Sequence, residues 1–178
     1  VVERVETDGM GGAGRPRLQL HLKNMVTEVE ELHGLFVFGA DGHWLMTSQD
    51  RLPLYTVDDR EYFQYHVRNP DRFVHVGKPV RSRSSGEWVL PVSRRLNNPD
   101  GTFGGIALGT IRIDYFSTLY KTFDVGSDGV VMLTLDDGTM VYRLPHNEKL
   151  IGTDVSSGPV HQMYERSGPA GTAILRSK

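Results

Sequence analysis

The sequence predicts an α+β fold in which a long N-terminal helix packs on antiparallel sheets. Three observations carry this prediction. Apolar residues recur at helical spacing over residues 17–32, an Asp-Gly turn joins two short apolar runs near residue 41, and two long strands flank a turn at residues 97–101. Strands joined by short turns pair antiparallel, and their buried faces need helices to cover them.

The first predicted helix spans residues 17–32. Its apolar residues fall at three- and four-residue steps on one face: Leu18, Leu22, Met25, Val26, Val29 and Leu32. The pair Arg15-Pro16 suits its first turn, and Gly34 suits its end. A glycine-rich segment at residues 8–14 separates this helix from the polar start of the chain.

A second, shorter helix is predicted over residues 60–67. Asp58 and Asp59 are candidate N-caps for it, and Asn69-Pro70 ends it. Residues 73–80 then form a strand that leads into the central pair of strands.

The central pair of strands lies within residues 81–116. Pro99, Asp100 and Gly101 are typical turn residues between the two strands. Glycines in the middle of a strand indicate bulges or a close approach of another segment, and the second strand has three: Gly104, Gly105 and Gly109. Alternation predicts that Phe103 shares a face with Ala107, and Ile106 with Leu108.

Two hairpins of similar sequence indicate an internal repeat. Residues 35–48 carry two short strands around the turn Ala40-Asp41-Gly42, and residues 130–143 carry two more around Asp136-Asp137-Gly138. A short helix over residues 115–123 connects the two halves of the chain.

The second half predicts a smaller unit. A helix over residues 154–166 would turn three residues inward: Val160, Met163 and Tyr164. Residues 170–175 start a strand without a partner, so this unit is expected to be incomplete. The chain begins at Val1 rather than Met, and we therefore expect an excised piece of a longer protein.

Composition narrows the function classes. The chain has 178 residues, a net charge of -2 and no cysteine, so nothing favours nucleic acid, disulfides or a thiolate metal site. Its seven histidines lack metal-ligand spacing, and no nucleotide-binding or hydrolase motif occurs. We therefore expect no catalysis, no metal and no cofactor. No apolar run approaches the length of a membrane span.

Arginines and aromatic residues cluster around the predicted strands. The arginines are Arg60, Arg81, Arg83, Arg94 and Arg95, and the aromatic residues are Tyr55, Tyr62, Phe63 and Trp88. Guanidinium groups beside aromatic walls can hold a carboxylate or another small anion. The alternative is that Arg94 and Arg95 are a surface and a salt-bridged arginine and that Trp88 belongs to the core.

At the level of whole motifs the chain resembles double Cache, or PDC-like, extracytoplasmic sensor domains. The matching segments are LFVFGADGHWLMTS, DREYFQYH, KPVRSRSSGEW, VSRRLNNPDG and GVVMLTLDDGTMVYR. The resemblance implies two PDC/PAS-like units in tandem. They are a membrane-distal unit at residues 33–116, which follows an N-terminal helical segment at residues 1–32, and a smaller, truncated membrane-proximal unit at residues 117–178.

The resemblance also implies a ligand site in the membrane-distal unit. In a branch of the family that binds amino acids, the matching positions here are Tyr55, Arg60, Tyr62, Phe63 and Asp114. Arg60 would hold a carboxylate, Asp114 an ammonium group, and Tyr55 would add a hydroxyl. The chain departs from that branch at Tyr62, Phe63 and Val80, and its Arg81 and Arg83 fit a more anionic ligand equally. The expected ligand-binding set is Tyr55, Arg60, Tyr62, Phe63, Arg81, Arg83, Trp88 and Asp114.

The resemblance is greatest to sensor regions of membrane-bound GGDEF diguanylate cyclases. It implies the periplasmic portion of an inner-membrane protein, a homodimer formed through the N-terminal helix, and a small ligand such as an amino acid or a carboxylate. Nucleic acid is not an expected partner. The alternatives are the sensor of a histidine kinase or chemoreceptor, a free periplasmic binding protein, and an enzyme that uses a histidine or an acid in the same cleft.

Overall fold

The computed structural model describes residues 2, 3, 5, 14–168, 170–172 and 174. Within residues 14–168 the helices are α1 (Gly14–Glu28), α2 (Glu61–Arg68), α3 (Ile113–Tyr120) and α4 (Pro159–Ser167), with a short 3-10 helix at Glu148–Leu150. The strands are β1 (Leu32–Gly39), β2 (Trp44–Thr47), β3 (His75–Val76), β4 (Val80–Arg81), β5 (Trp88–Asn97), β6 (Phe103–Arg112), β7 (Val131–Thr134) and β8 (Met140–Leu144). This combination of helices and antiparallel sheet confirms the predicted α+β fold.

The chain packs as two compact units, Val1–Phe116 and Ser117–Lys178, here called unit 1 and unit 2. Unit 1 contains an antiparallel sheet in the order β2-β1-β6-β5-β3, with β4 also paired to β5. The central pair β5 and β6 is the predicted one, and its turn contains Gly101 with φ +83°. Unit 2 contains the two-stranded sheet of β7 and β8.

Both faces of the unit 1 sheet are buried. On one face, Leu35 and Val37 of β1 pack with Leu18 and Leu22 of α1. On the other face, Phe36 and Phe38 pack with Tyr62 and Phe63 of α2. Alternate residues of one strand point to opposite faces. Strand β1 therefore contributes side chains to both cores, one between the sheet and α1 and the other between the sheet and α2.

A bulge at Gly104 reverses the predicted side of Phe103. Leu96 pairs with Gly105 and Asn97 pairs with Phe103, which leaves Gly104 as the extra residue. Phe103 consequently packs with Ile106 and Leu108, and the prediction that it shares a face with Ala107 is wrong. The predicted close approach is found at Gly105, where φ is +131° and a Cβ would lie 2.0 Å from the carbonyl oxygen of Phe38.

The first helix ends earlier than its periodicity predicts. Helix α1 stops at Glu28, whereas Leu32 and Gly34 already belong to β1 and pair with β6. Strand pairing overrides the helical pattern here. Gly34 does not end the helix; instead, a Cβ at this position would meet the ring of Phe36 at 2.4 Å. The glycine-rich residues 8–13 lie outside the described residues.

Two further local predictions are wrong. The predicted strand over residues 73–80 is divided into β3 and β4, with Gly77 and Pro79 between them. Proline lacks the N–H that continuous strand pairing requires. The N-cap of α2 is Arg60 rather than Asp58 or Asp59, and no side chain caps this helix.

Unit 2 is built around the hairpin of β7 and β8, as predicted. Tyr142 is fully buried, and its ring stacks at 5.7 Å from that of Tyr120 and at 5.5 Å from that of His146. In α4 the buried residue is His161, whereas Val160 and Tyr164 are 49% and 45% exposed, so their predicted inward orientation is wrong. No helix in the described ranges has the length and apolar character needed to cross a bilayer.

Candidate functional site

Unit 1 contains a recess between the sheet and the segments at residues 55–62 and 80–84. It has about 400 Å³ of space free of atoms, part of it open to solvent, of which about 40 Å³ accommodates the centre of a water molecule. The recess is therefore nearly closed in this conformation. Its lining is aromatic and apolar apart from serines, a threonine and arginines: Phe36, Phe38, Trp44, Tyr55, Val57, Arg60, Tyr62, Val80, Arg81, Ser82, Arg83, Ser84, Val89, Leu108 and Thr110.

The β1–β2 turn positions one side of the recess. Gly42 has φ +77°, and its carbonyl oxygen accepts a hydrogen bond from the Val57 N–H at 3.1 Å. A Cβ at Gly42 would lie 2.7 Å from the backbone nitrogen of Asp58, so only glycine allows this approach. The segment that begins at Val57 therefore packs on the turn. The Arg60 N–H in turn donates to the Val57 carbonyl at 3.0 Å, which places Arg60 at the N-cap of α2.

Arg60 brings a positive charge to the recess. It is half-buried, and its Nη2 donates to the carbonyl oxygen of Arg81 at 3.2 Å. None of the described carboxylates forms an ion pair with it. A guanidinium with donors left over, beside aromatic walls and at a helix N-terminus, is suited to bind a carboxylate.

Arg83 joins the two segments that border the recess. Its two terminal nitrogens donate to both carboxylate oxygens of Asp59, at 2.9 and 2.5 Å, and Nη1 also donates to the Thr56 carbonyl at 3.0 Å. The guanidinium lies 5.8 Å from the centre of the Tyr55 ring. Hydrogen bonding to Arg83 lowers the pKa of the Asp59 carboxyl, so this carboxylate is charged at neutral pH. The contact joins the 80–84 segment to the 55–62 segment.

The charges of Arg60 and Arg83 affect the pKa values of two tyrosines, Tyr55 and Tyr62. Burial raises the pKa of Tyr62 to about 12, although the charges of Arg60 and Arg83 oppose the shift. Burial also raises the pKa of Tyr55, against the same two charges and a hydrogen bond to Ser84. Both hydroxyls therefore keep their protons at neutral pH and are available as hydrogen-bond donors.

An aromatic box forms the inner wall. The Trp44 ring meets Phe36, Phe38 and Tyr55 edge to face, with centroid distances of 5.2, 4.7 and 5.5 Å. The Trp44 indole N–H is buried and has no acceptor among the described residues. A buried donor without a partner costs about 1–3 kcal/mol, which an acceptor on a bound molecule would recover.

The recess contains five of the predicted ligand-binding residues: Tyr55, Arg60, Tyr62, Arg81 and Arg83. The guanidinium of Arg81 lies 4.8 Å above the Trp88 ring and donates to the Gly86 carbonyl at 2.7 Å. Trp88 itself is half-buried under Arg81 and does not line the recess.

Phe63 and Asp114 also lie outside the lining. Phe63 belongs to the core beneath α2, where its ring meets Phe103 edge to face at 5.5 Å. Asp114 is exposed in the first turn of α3, and its charge acts on His33. Of the arginines in the predicted cluster, Arg94 donates to the Arg72 carbonyl at 2.9 Å, and Arg95 is buried over Phe103 at 4.8 Å.

Sequence reasoning missed the aromatic wall of Phe36, Phe38 and Trp44. The alternation of Phe36 and Phe38 along β1 indicates a shared face, and the hairpin places Trp44 opposite Phe38. The sequence does not indicate that α2 rather than α1 covers this face. Ser82 and Ser84 were missed as lining residues because a polar loop has no periodicity that assigns a side to each residue.

A serine and a histidine also meet inside unit 1. The Ser93 hydroxyl lies 3.0 Å from Nε2 of His66, and both side chains are buried. The other ring nitrogen of His66 has no described partner, so no acid orients the imidazole as in a catalytic triad. The described residues contain no group of three metal-ligating side chains. This pair therefore belongs to the packing of α2 on the sheet.

Unit 2 has a recess of different character. It is larger, with about 1460 Å³ free of atoms, part of it open to solvent, and its lining contains Asp136 and His161 but no arginine or lysine. The remaining lining is mainly apolar, including Val130, Met132 and Val160. Of these two recesses, only the one in unit 1 is lined by arginine.

The structure and sequence resemble those of extracellular sensor domains. The dCache family model, described as Cache domain, matches residues 8–177. The extracellular domain of a protein assigned as histidine kinase rpHK1S-Z16 has 33% sequence identity and a TM-score of 0.84, over 96% of this chain and 68% of that one. No curated protein sequence matches the chain at a significant level.

Two more distant structures share the fold. An extracellular ligand-binding receptor from Desulfohalobium retbaense has 16% identity and a TM-score of 0.72, over 98% of this chain and 31% of that one. The ligand-binding domain of the Pseudomonas fluorescens chemoreceptor CtaA, in complex with L-serine, has 14% identity and a TM-score of 0.60, over 95% of this chain and 69% of that one. With the family match across nearly the whole sequence, the chain belongs to the Cache domain family and is a non-catalytic extracellular sensor domain like those of histidine kinases and chemoreceptors.

Proposed function

We propose that the unit 1 recess binds a small molecule through its carboxylate group and that Arg60 is the residue that holds it. The observation that carries the proposal is the half-buried Arg60 guanidinium, which faces an aromatic recess and has no ion pair among the described residues. An anionic ligand in the recess would form charge-assisted hydrogen bonds with this guanidinium.

The other recess residues have supporting roles in this proposal. The hydroxyls of Tyr55 and Tyr62 donate to the ligand, while Arg81 and Arg83 add further guanidinium groups to the lining. Phe63 and Trp88 support the site by packing, since neither lines the recess. The chemoreceptors CtaA and PctC, whose domains share this fold, bind L-serine and GABA, and amino acids are therefore included among the ligands to test.

The signal would pass through β1 to α1. Phe36 and Phe38 of β1 line the recess, whereas the neighbouring Leu35 and Val37 pack with α1 on the opposite face. A ligand that separates the 55–62 and 80–84 segments shifts the population toward sheet and helix positions that suit the open recess. We further propose that α1 pairs with a second copy in a membrane-anchored, periplasmic homodimer. Unit 1 would be its membrane-distal unit and unit 2 its membrane-proximal unit.

Two output domains are proposed for the parent protein. The motif resemblance favours a GGDEF diguanylate cyclase, whereas the 33% identity to a domain assigned to a histidine kinase favours a kinase. The gene sequence that follows the codon for Lys178 distinguishes them, because a GGDEF motif and a kinase phosphoacceptor histidine do not resemble each other. A reading frame with a cleavable leader and no output domain would contradict both and favour a free binding protein.

The test is a thermal-shift screen against amino acids, polyamines, and mono-, di- and tricarboxylates. A ligand at 100 times its dissociation constant adds about 2.7 kcal/mol of stability, which raises the melting temperature by several degrees. We expect a carboxylate to produce a shift that Arg60→Ala removes and the matched control Arg94→Ala keeps. A shift that survives in Arg60→Ala, or one produced only by polyamines, would overturn the proposal.

A further inference from the structure

We infer that the recess selects carboxylates that carry an apolar or aromatic body and no ammonium group. The inference deepens the proposed function and rests on it, because it names the class of carboxylate that the recess takes. Three features support the inference. The lining contains arginines and no acid, the nearby carboxylates already have partners, and the remaining lining is mainly aromatic and aliphatic.

The charge balance favours an anion without a cationic group. Arg60, Arg81 and Arg83 line the recess, and none of the described lining residues is acidic. An α-amino acid carries an ammonium group within two bonds of the carboxylate carbon. Once the carboxylate lies against Arg60, that ammonium group must lose water beside a lining that contains arginines and no carboxylate to compensate it.

The acids near the recess are already engaged. Asp58 accepts a hydrogen bond from the Thr56 hydroxyl, Asp59 holds Arg83 through both oxygens, and Glu61 lies 2.9 Å from Nε2 of His75. Asp114, the acid expected to bind an ammonium group, lies outside the lining. An ammonium group would therefore have to break an existing contact, of which the Asp59–Arg83 pair is the nearest to the recess.

The walls favour an apolar or aromatic body. The aromatic box of Phe36, Phe38, Trp44 and Tyr55 presents rings already arranged edge to face, and valines and a leucine complete the lining: Val57, Val80, Val89 and Leu108. The indole N–H of Trp44 is a donor without a described acceptor. This unpartnered donor matches a carboxylate and gives nothing to an ammonium group, which is a donor only.

Entry of such a molecule requires a movement of Arg83. Only about 40 Å³ of the recess admits the centre of a water molecule, which is smaller than any ligand of this class requires. The Arg83 side chain lines the recess and links its 80–84 segment to Asp59 and to the Thr56 carbonyl, and 36% of this side chain is exposed. An exposed ion pair is weak, so the arginine can turn away from Asp59 while the walls keep their packing.

The experiment is isothermal titration of this chain with pairs of compounds that differ only in the α-ammonium group. The pairs are hydrocinnamate with L-phenylalanine, and isocaproate with L-leucine, and phenethylamine serves as an aromatic cation without a carboxylate. We expect each carboxylate to bind at least about 10-fold more tightly than its amino acid, as burial of an uncompensated charge requires. Phenethylamine should not bind.

The outcomes separate this inference from the proposed function. If L-phenylalanine or L-leucine binds as tightly as its partner compound and Arg60→Ala abolishes that binding, the selectivity is overturned and the proposed function stands. If no compound binds, or if binding is unchanged in Arg60→Ala, both are overturned. A conservative variant, Trp44→Phe, retains the aromatic wall and loses the indole donor, and we expect it to weaken hydrocinnamate about 5-fold. Unchanged affinity in Trp44→Phe would overturn the role of that donor.

Discussion

Units 1 and 2 share the same hairpin turn geometry. They differ in the residue at the N-cap of the helix that follows the hairpin. In unit 1, Gly42 has φ +77° and accepts a hydrogen bond from the Val57 N–H at 3.1 Å; in unit 2, Gly138 has φ +80° and accepts one from the Val155 N–H at 2.9 Å. In both hairpins, the side chain of the turn aspartate accepts a bond from the residue two positions later, at 3.1 and 2.9 Å. The predicted repeat of the two hairpins is therefore confirmed in detail.

The repeat continues to the start of the next helix, where the two units diverge. The N-cap of α2 is Arg60, with φ -77° and ψ 142°, and the N-cap of α4 is Gly158, with φ -72° and ψ 151°. The backbone of the two positions is nearly the same, yet unit 1 has a guanidinium where unit 2 has no side chain. The two helices therefore begin with the same backbone conformation, and only the unit 1 helix has an arginine at its N-cap.

The largest expected effect tests whether the scaffold is shared. At Gly42 and Gly138 a Cβ would lie 2.7 Å from the returning segment, and both positions have positive φ. We expect Gly42→Ala and Gly138→Ala each to lower the free energy of unfolding by about 3 kcal/mol, from left-handed strain plus overlap. Urea unfolding monitored by circular dichroism provides the measurement.

The control for this pair is Gly86→Ala. Gly86 has φ +76° and nothing within 4 Å of its Cβ position, so it reports the strain alone, about 1 kcal/mol. If Gly138→Ala were as mild as Gly86→Ala, the two turns would not be equivalent in energy, and the comparison between the units would fail.

The next effect tests the difference between the units. Arg60→Ala should weaken hydrocinnamate by about 10- to 100-fold, because a charge-assisted hydrogen bond contributes about 1.5–3 kcal/mol. Asp136→Ala, in the unit 2 recess, and Arg94→Ala should leave the affinity unchanged, since neither residue lines the unit 1 recess. Isothermal titration measures all three. If Asp136→Ala lost as much affinity as Arg60→Ala, the assignment of the ligand to the unit 1 recess would be contradicted.

A smaller effect is expected at the mouth of the unit 1 recess. Asp59→Asn removes the charge that holds Arg83, which leaves this arginine free to attract the ligand carboxylate. We expect affinity for hydrocinnamate to rise about 2- to 5-fold, the scale of an exposed ion pair. Asp58→Asn is the matched control, because Asp58 bonds to Thr56 and not to an arginine. Weaker binding in Asp59→Asn would mean that Asp59 itself belongs to the ligand site.

The smallest effect is a pH dependence that arises in unit 1. Burial lowers the pKa of both His33 and His66 from the ordinary 6.5. Below about pH 6.5 the unfolded chain therefore binds protons that the folded chain does not, and stability falls as pH falls toward the folded-state pKa values. The slope cannot exceed about 1.4 kcal/mol per pH unit for each histidine.

Urea unfolding between pH 5 and 8 measures this slope. We expect His66→Gln to reduce it, since His66 is fully buried. Stability that rises as pH falls through this range would contradict the burial of neutral histidines in unit 1.

The sequence predicted the parts of the fold that local patterns determine. The Asp-Gly turns and the Pro99–Gly101 turn specify their hairpins through backbone conformations that few other residues accept, and all three hairpins are present. The end of α1 and the side of Phe103 were wrong because long-range strand pairing and the bulge at Gly104 decide them, and neither is visible in a local window.

The residues of the candidate site likewise fall into those that a local pattern predicts and those that tertiary packing determines. Arg60, Tyr55 and Tyr62 lie close together in sequence around the start of α2, so their convergence follows from one local element. The aromatic box depends on which helix covers which face of the sheet, and the exclusion of Asp114 from the lining depends on α3 beginning at Ile113. These relations arise from tertiary packing, which the sequence pattern does not encode directly.

The most direct test of the central claim is the stoichiometry of carboxylate binding in matched variants. Isothermal titration of this chain with hydrocinnamate should give one site per chain, which is lost in Arg60→Ala and retained in Asp136→Ala. Two sites per chain, or one site that survives in Arg60→Ala, would show that unit 2 binds the ligand as well or instead, and would contradict the assignment of anion binding to the residue at the N-cap of α2.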